Sequence, residues 1–169
     1  MKGSLTDPEL LIRQGVLADS KAIWEINRQP IVRQAAFSSE DIPWASHERW
    51  FSAAITDPNR LFLLGCIEQR VAGVARFDRV EEGLLEITIA MAEEFRGQGL
   101  GRRIIRETSL KSIGFLPSSK GIRAHIKHEN QPSIRAFEAA GFEFCGETWV
   151  KGRKVLQYRF LPYAQADNE

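Results

Sequence analysis

The residue types best suited to chemistry are gathered in one string, Arg96-Gly97-Gln98-Gly99-Leu100-Gly101-Arg102. Glycine at every second position, followed at once by an apolar-periodic run, is the pattern of a backbone anion site at a helix start. The first turn of a helix leaves several N–H groups without partners and carries roughly half a positive charge. A phosphate oxygen reaches consecutive amides only where no side chain fends it off, which glycine allows at Gly97, Gly99 and Gly101. Arg96 and Arg102 add positive charge locally. No Gly-Lys-Ser/Thr follows, as a Walker loop requires, and the alternate glycines differ from the dinucleotide G-x-G-x-x-G. The segment reads as a pyrophosphate cradle. The competing reading is that the glycines serve only a tight turn and close packing.

A strand must deliver the chain to such a cradle and a helix must leave it. "GLLEITIAM" alternates as a strand does, with Glu86, Thr88 and Ala90 on one side and Ile87, Ile89 and Met91 on the other, and it runs straight into the glycines. From Gly99 to about Ile113 the spacing of Leu100, Ile104, Ile105 and Leu110 is helical. Upstream, a short strand near "LLIRQ" precedes a helix capped by Asp19 that carries Ile23, Trp24, Ile26 and Asn27 and ends before Pro30. An irregular aromatic connection leads to a second helix from Ser46, and "RLFLLGCI" and "VAGVARF" form a hairpin. Downstream, "GIRAHI" is a strand, and "NQPSIRAFEAAGF" is a helix stopped at Gly141 with Ile134, Phe137 and Ala140 on its buried face. A hairpin turning at Lys151-Gly152-Arg153 closes the chain. The order predicts an α/β (α+β) fold in a single domain over 1–169, with a mixed central sheet and helices on both faces.

Composition limits the partners. A formal charge of +1 gives no global field to draw in nucleic acid or an anionic membrane, so neither is an expected partner and any basic site must be local. Cys66 and Cys145 lie in apolar strand-like segments without a second Cys or His at ligand spacing. They read as buried free thiols, which implies no metal and a reducing, cytoplasmic setting. The amino terminus lacks an apolar run of signal-peptide length, and no stretch approaches the roughly 20 apolar residues of a membrane helix.

The string Arg96 to Gly101 resembles the R/Q-x-x-G-x-G/A signature of the GNAT superfamily of acyl-coenzyme A-dependent N-acetyltransferases, and "AHIKHENQPSIRAFEAAGF" resembles that family's later strand, N-x-x-S and aromatic-x-x-x-G-F elements. The resemblance spans about Leu10 to Phe160. It implies a sheet splayed between the fourth and fifth strands, with the pantetheine arm of acetyl-coenzyme A lying in the opening. Transferred position by position, it implies pantetheine contacts at Ile89, Ala90 and Met91 and a pyrophosphate held by Arg96, Gly97, Gln98, Gly99, Leu100, Gly101 and Arg102. It places Asn130, Ser133 and Phe137 on the other wall. Asn130 and Ser133 have a plainer reading as helix-start groups. Phe137 stands where many members carry a tyrosine that protonates the leaving thiolate, so it can only pack.

The implied reaction is direct attack of a primary amine on the thioester, with a backbone N–H of the fourth strand holding the oxyanion. Glu86, on the same strand, is the candidate general base, directly or through a water; otherwise it is a structural carboxylate paired with Arg76 or Arg123. The acceptor side resembles GNAT enzymes that acetylate amino-sugar nucleotides for bacterial nonulosonic acid and surface-glycan synthesis, through Asn27, Arg33, Phe37, His47 and Trp50. That resemblance implies a UDP-linked amino sugar as acceptor, with Arg33 pairing its diphosphate and Trp44 or Trp50 stacking on a ring. Trp50 and His47 have structural readings too, as a buried helix face and a helix-start group. The alternatives are a peptide or protein N-terminal acetyltransferase of the ribosomal-protein type, and a non-catalytic coenzyme A sensor. Many members of the family are homodimers.

Overall fold

A computed structural model describes residues 7–81, 83–117 and 120–162. The outermost residues of the expected 1–169 domain therefore lie outside the described part. Among the described residues there are seven strands: β1 (Leu11–Gln14), β2 (Arg60–Ile67), β3 (Arg70–Glu81), β4 (Leu84–Met91), β5 (Ile122–Ile126), β6 (Glu143–Val150) and β7 (Arg153–Phe160). They form one sheet in the order β1-β2-β3-β4-β5-β7-β6. All neighbours are antiparallel except β4 and β5, which run parallel.

Among the described residues five α-helices accompany the sheet: α1 (Ser20–Asn27), α2 (Pro30–Ala35), α3 (Trp44–Ala54), α4 (Leu100–Phe115) and α5 (Gln131–Ala139). One core packs Ile105 of α4 and Phe137 and Ala140 of α5 against Leu63, Ala75, Phe77, Leu85, Ile87 and Ala124. The other packs Ile23 and Ile26 of α1 and Phe51 and Ala54 of α3 against Phe62, Leu64, Val74 and Ala90. The period-2 alternation of the strands thus sends odd and even residues to different helical layers. Helix α4 comes close because Gly65 and Gly73 lack side chains beneath Ile104. A Cβ at Gly65 would lie 2.6 Å from Ile104 Cγ1.

Several expectations need correction. The connection read as irregular contains α2, whose start is set by Pro30 at the first helical position. Helix α3 begins at Trp44, two residues before the expected Ser46, with Pro43 as its cap residue. Asp19 does occupy the cap position of α1, but its carboxylate makes no capping bond there. It accepts instead from the Val16 N–H and from Arg13 at 2.7 and 2.8 Å. Leu110 is exposed, because the buried face of α4 is continued by Thr108, Ser109 and Ser112. Cys66 is buried as expected, whereas Cys145, on the edge strand β6, is exposed.

Candidate active site

The site originates in a conflict between strand pairings. Strand β4 stays with β3 in antiparallel register as far as Gly73↔Met91, and β5 stays with β7 along its whole length. Between them, the parallel pairing among the described residues stops at Leu85↔Ile122 and Glu86↔Arg123. Beyond it, twist carries the two strands apart and opens a splay. The Leu85 N–H bonds the Gly121 carbonyl on the β5 side, while the Ala92 N–H bonds the Ala72 carbonyl on the β3 side. Because backbone groups alternate along a strand, Ile87, Ile89 and Met91 turn their amides and carbonyls toward the splay. Ala90 turns its own toward β3, and its side chain enters the α1/α3 core. Of the three expected backbone contacts, Ile89 and Met91 face the opening and Ala90 does not.

At the end of β4 the chain reaches the mouth of α4. Gly97 and Gly99 have φ of 73° and 74°, left-handed values that a side chain would strain, and Gly99 is the cap residue of α4. A Cβ at Gly97 or Gly101 would meet nothing within 4 Å, and at Gly99 only Arg102 Nε at 3.9 Å. The bare positions thus border open space, with no packing partner that would account for them. That is the room a pyrophosphate needs against the amides of Leu100, Gly101 and Arg102. Leu100 anchors the turn in the core, and Gln98 donates to the Glu94 carbonyl at 2.8 Å. Arg96 bonds the Gln29 side-chain oxygen and, at 2.9 Å, the Met91 carbonyl. It thereby ties the glycine turn to the α1–α2 junction.

On the opposite wall, Asn130 caps α5, its side-chain oxygen accepting from the Ser133 N–H at 3.3 Å. Phe137 is 3% exposed and packs edge-to-face on Phe142, so its ring belongs to the core. Tyr158, the tyrosine of the described residues, is no substitute acid. Its hydroxyl donates to Glu138 at 3.0 Å, and burial together with that carboxylate pushes its pKa up to about 12.

Glu86 closes the narrow end of the splay. Its Oε2 accepts from Arg123 Nε at 2.7 Å and lies 3.1 Å from His125 Nδ1. Partial burial opposes its charge, yet the bonds from His125 and Arg123 outweigh that and hold the pKa at about 2. Arg76, the other partner weighed for Glu86, binds Asp78 on its own strand instead, at 2.8 Å. His125 in turn reaches Gln157 at 3.2 Å.

The α1/α3 face of the sheet bears a small cleft of about 30 Å³ lined by Asn27, Trp50, Phe62, Val74, Arg76, Thr88, Ile89 and Ala90. Asn27 and Trp50 therefore meet at β4, beside the splay. Arg33 and His47 do not join them. Arg33 bonds the backbone carbonyls of Asn27 and Ser38 and staples the α2–α3 connection. His47 is 2% exposed, sits against the Ser20 carbonyl at 2.9 Å and stacks on Trp44 and Phe51. Burial lowers its pKa, so it is a neutral core ring. Arg76, Thr88 and His125 were missed as site residues because each owes its place to neighbouring strands. Lys127 was missed likewise, and its ammonium bonds the Gln34 carbonyl at 2.7 Å to hold α2 across the wide end of the splay.

A family model described as acetyltransferase (GNAT) family matches residues 22–142. The chain belongs to the GNAT family. It is an acyl-coenzyme A-dependent N-acetyltransferase, and the splay and bare helix mouth have the form that acetyl-coenzyme A requires. No curated protein matches the chain by sequence. Among solved structures, the chain is similar to spermidine N-acetyltransferase from Vibrio cholerae in complex with CoA and spermine, with TM-score 0.78 and 20% identity over 90% of this chain and 95% of that one. AAC(6')-Ib in complex with ribostamycin and coenzyme A aligns with TM-score 0.79 at 15% identity, over 95% and 99% of the two chains. The putative acetyltransferase yncA from Salmonella typhimurium, with acetyl-CoA, aligns with TM-score 0.74 at 20% identity, over 93% and 96%. These likenesses establish the GNAT fold. Among the described residues, no helix is long and apolar enough to cross a membrane, and no cluster of three or more His, Cys, Asp or Glu could hold a metal ion.

Proposed function

We propose that this GNAT enzyme acetylates the primary amine of a small-molecule acceptor that enters from the α1/α3 face, and that the acceptor is an amino group of a UDP-linked amino sugar. The observation that carries this reading is the meeting of Asn27 and Trp50 with Thr88 and Ile89 at the edge of the splay. Side chains of two helices and of the cofactor strand meet there, beside the opening in which the thioester would lie. Arg33 carries no role in this reading, since its two terminal nitrogens bond backbone carbonyls away from the cleft.

Acetyl-coenzyme A supplies the activated acyl carbon. In the proposed mechanism the mouth of α4, from Gly97 to Arg102, takes the pyrophosphate, and the splay-facing groups of Ile89 and Met91 align the pantetheine as an added strand. The N–H of Ile89 or Met91 holds the carbonyl oxygen as negative charge develops on it. Glu86, a firm carboxylate at neutral pH, acts through a water that donates to it: that water meets the acceptor ammonium, relays its proton to bulk solvent and leaves the free amine to attack the thioester carbon. No side-chain acid is assigned to the departing sulfur. A thiol with a pKa of about 8.5 leaves without one.

The test is release of coenzyme A thiol from acetyl-coenzyme A with a panel of UDP-amino sugars, polyamines, aminoglycosides and amino-terminal peptides. Turnover with a UDP-amino sugar at the highest kcat/KM is expected. Turnover by peptides alone would transfer the assignment to an N-terminal acetyltransferase, and none with any amine to a coenzyme A sensor. Homodimer formation is a separate proposal, checked by sedimentation.

A further inference from the structure

The cleft floor carries more positive than negative charge. Asp78 on β3 accepts from Arg60 Nε at 2.5 Å through one oxygen and from Arg76 Nε at 2.8 Å through the other. Two guanidiniums thus share one carboxylate. Both stand near the Trp50 ring, at 5.7 and 5.8 Å from its centroid, which supports them from the α3 side. The Nε bond to Asp78 sets the rotation of the Arg76 fork and directs its far end toward β4, where Nη2 lies 3.5 Å from the exposed Thr88 hydroxyl. Arg76 and Thr88 are cross-strand partners, and both line the cleft. The other carboxylate of this face, Glu86, sits opposite Asp78 and is taken up by Arg123 and His125.

We propose that Arg76 and Thr88 form an oxyanion subsite for the acceptor, so that the preferred substrate carries a phosphate or carboxylate a short distance from its reacting amine. This rests on the reading that the cleft receives the acceptor. The guanidinium offers two parallel N–H donors to a planar or tetrahedral oxyanion, and the Thr88 hydroxyl adds a third. Desolvation raises the worth of such bonds in a half-buried cleft. At about 3.4 Å per strand residue, Thr88 lies roughly 3–10 Å from the splay-facing amides of Ile89 and Met91. That span separates the amine and anion of an amino acid or of an amino-sugar phosphate, including the first phosphate of a sugar nucleotide. A polyamine would set further ammonium groups against Arg60 and Arg76 and meet repulsion there.

The experiment compares matched acceptors that differ only in the anion: an amino-sugar 1-phosphate against the free amino sugar, and an amino acid against its methyl ester. The wild-type protein is expected to favour the anionic member of at least one pair by tenfold or more in kcat/KM, chiefly through KM, and the two pairs distinguish phosphate from carboxylate. Arg76→Gln should collapse the ratio of kcat/KM between the anionic and neutral members of each pair toward one, whatever it does to the absolute rates, and Thr88→Val should lower that ratio without touching the Asp78 cluster. Equal rates within every pair would overturn the subsite while small-molecule acetyl transfer stands. If no member of any pair is acetylated, that reading fails separately. Binding of inorganic phosphate and acetate, followed by the Arg76 Nε NMR signal, then decides the subsite. A saturable shift of that signal, weakened in Thr88→Val, supports it, and no shift at millimolar anion refutes it.

Discussion

Replacing Gly99 by Ala separates the two reasons a glycine can be needed at a helix mouth. With φ at 74° and no packed neighbour at the Cβ position, the methyl group clashes with nothing but its own backbone. The conformational cost of a left-handed non-glycine residue is about 1–2 kcal/mol, which lowers Tm by roughly 2–8 °C for a domain of this size. Strain alone predicts no more than that. The mouth, however, is also the site assigned to the pyrophosphate, and a methyl group there obstructs the approach to at least one amide. Losing one charge-assisted hydrogen bond costs about 1.5–3 kcal/mol, or roughly 10- to 100-fold in affinity at 1.4 kcal/mol per decade. Titration calorimetry with coenzyme A and a thermal melt, run on the same preparations, give the two numbers. Gly101→Ala is the internal control. It lies in the first turn of α4 outside the left-handed region, so alanine should hold or raise Tm, and whatever coenzyme A affinity it loses is lost without backbone strain. A Gly99→Ala protein with a reduced Tm and unchanged coenzyme A affinity would show that the glycine serves the turn alone, and the cradle would have to be sought elsewhere.

Glu86 makes an acid-side prediction. Its folded pKa of about 2 lies below the ordinary 4.5, so its contribution to stability is fully present above about pH 4.5 and is lost as pH falls toward 2. At about 1.4 kcal/mol per pH unit the ceiling is ~3 kcal/mol, and solvent screening of the part-exposed carboxylate reduces it to on the order of 1–2 kcal/mol. Denaturant melts of Glu86→Gln should therefore show a flatter stability profile between pH 5 and 2.5 than wild type; parallel profiles would mean that the Arg123 and His125 contacts contribute nothing. Near-wild-type turnover of the same variant at pH 7 would remove Glu86 from the mechanism. Tyr158→Phe removes the hydroxyl that donates to Glu138, which should cost about 1 kcal/mol of stability and leave kcat within twofold. A kcat loss of tenfold or more would make Tyr158 the missing acid.

Legibility in the sequence followed the range of the interactions. The signals that point to the proposed cradle are local, because its glycines and arginines lie within seven consecutive residues, Arg96 to Arg102. Period-2 alternation likewise marked β4 before its neighbours were known, and the mixed sheet between two helical layers followed from element order. The acceptor side was different. Arg33 and His47 have side chains that suit a ligand, yet backbone carbonyls at Asn27 and Ser38 take the terminal nitrogens of Arg33, and the Ser20 carbonyl lies against His47 Nε2. No pattern of residue types announces that, since every residue carries a carbonyl. Arg76 and Thr88 entered the cleft, and His125 reached Glu86, only because the β3–β4 hairpin and the more distant β5 align in register. Charge pairing across a sheet depends on that register, and a shift of one residue would send each of these side chains to the opposite face. The glycine-rich helix start is thus written along the chain itself, whereas the side chains that meet in the cleft depend on which strands lie side by side.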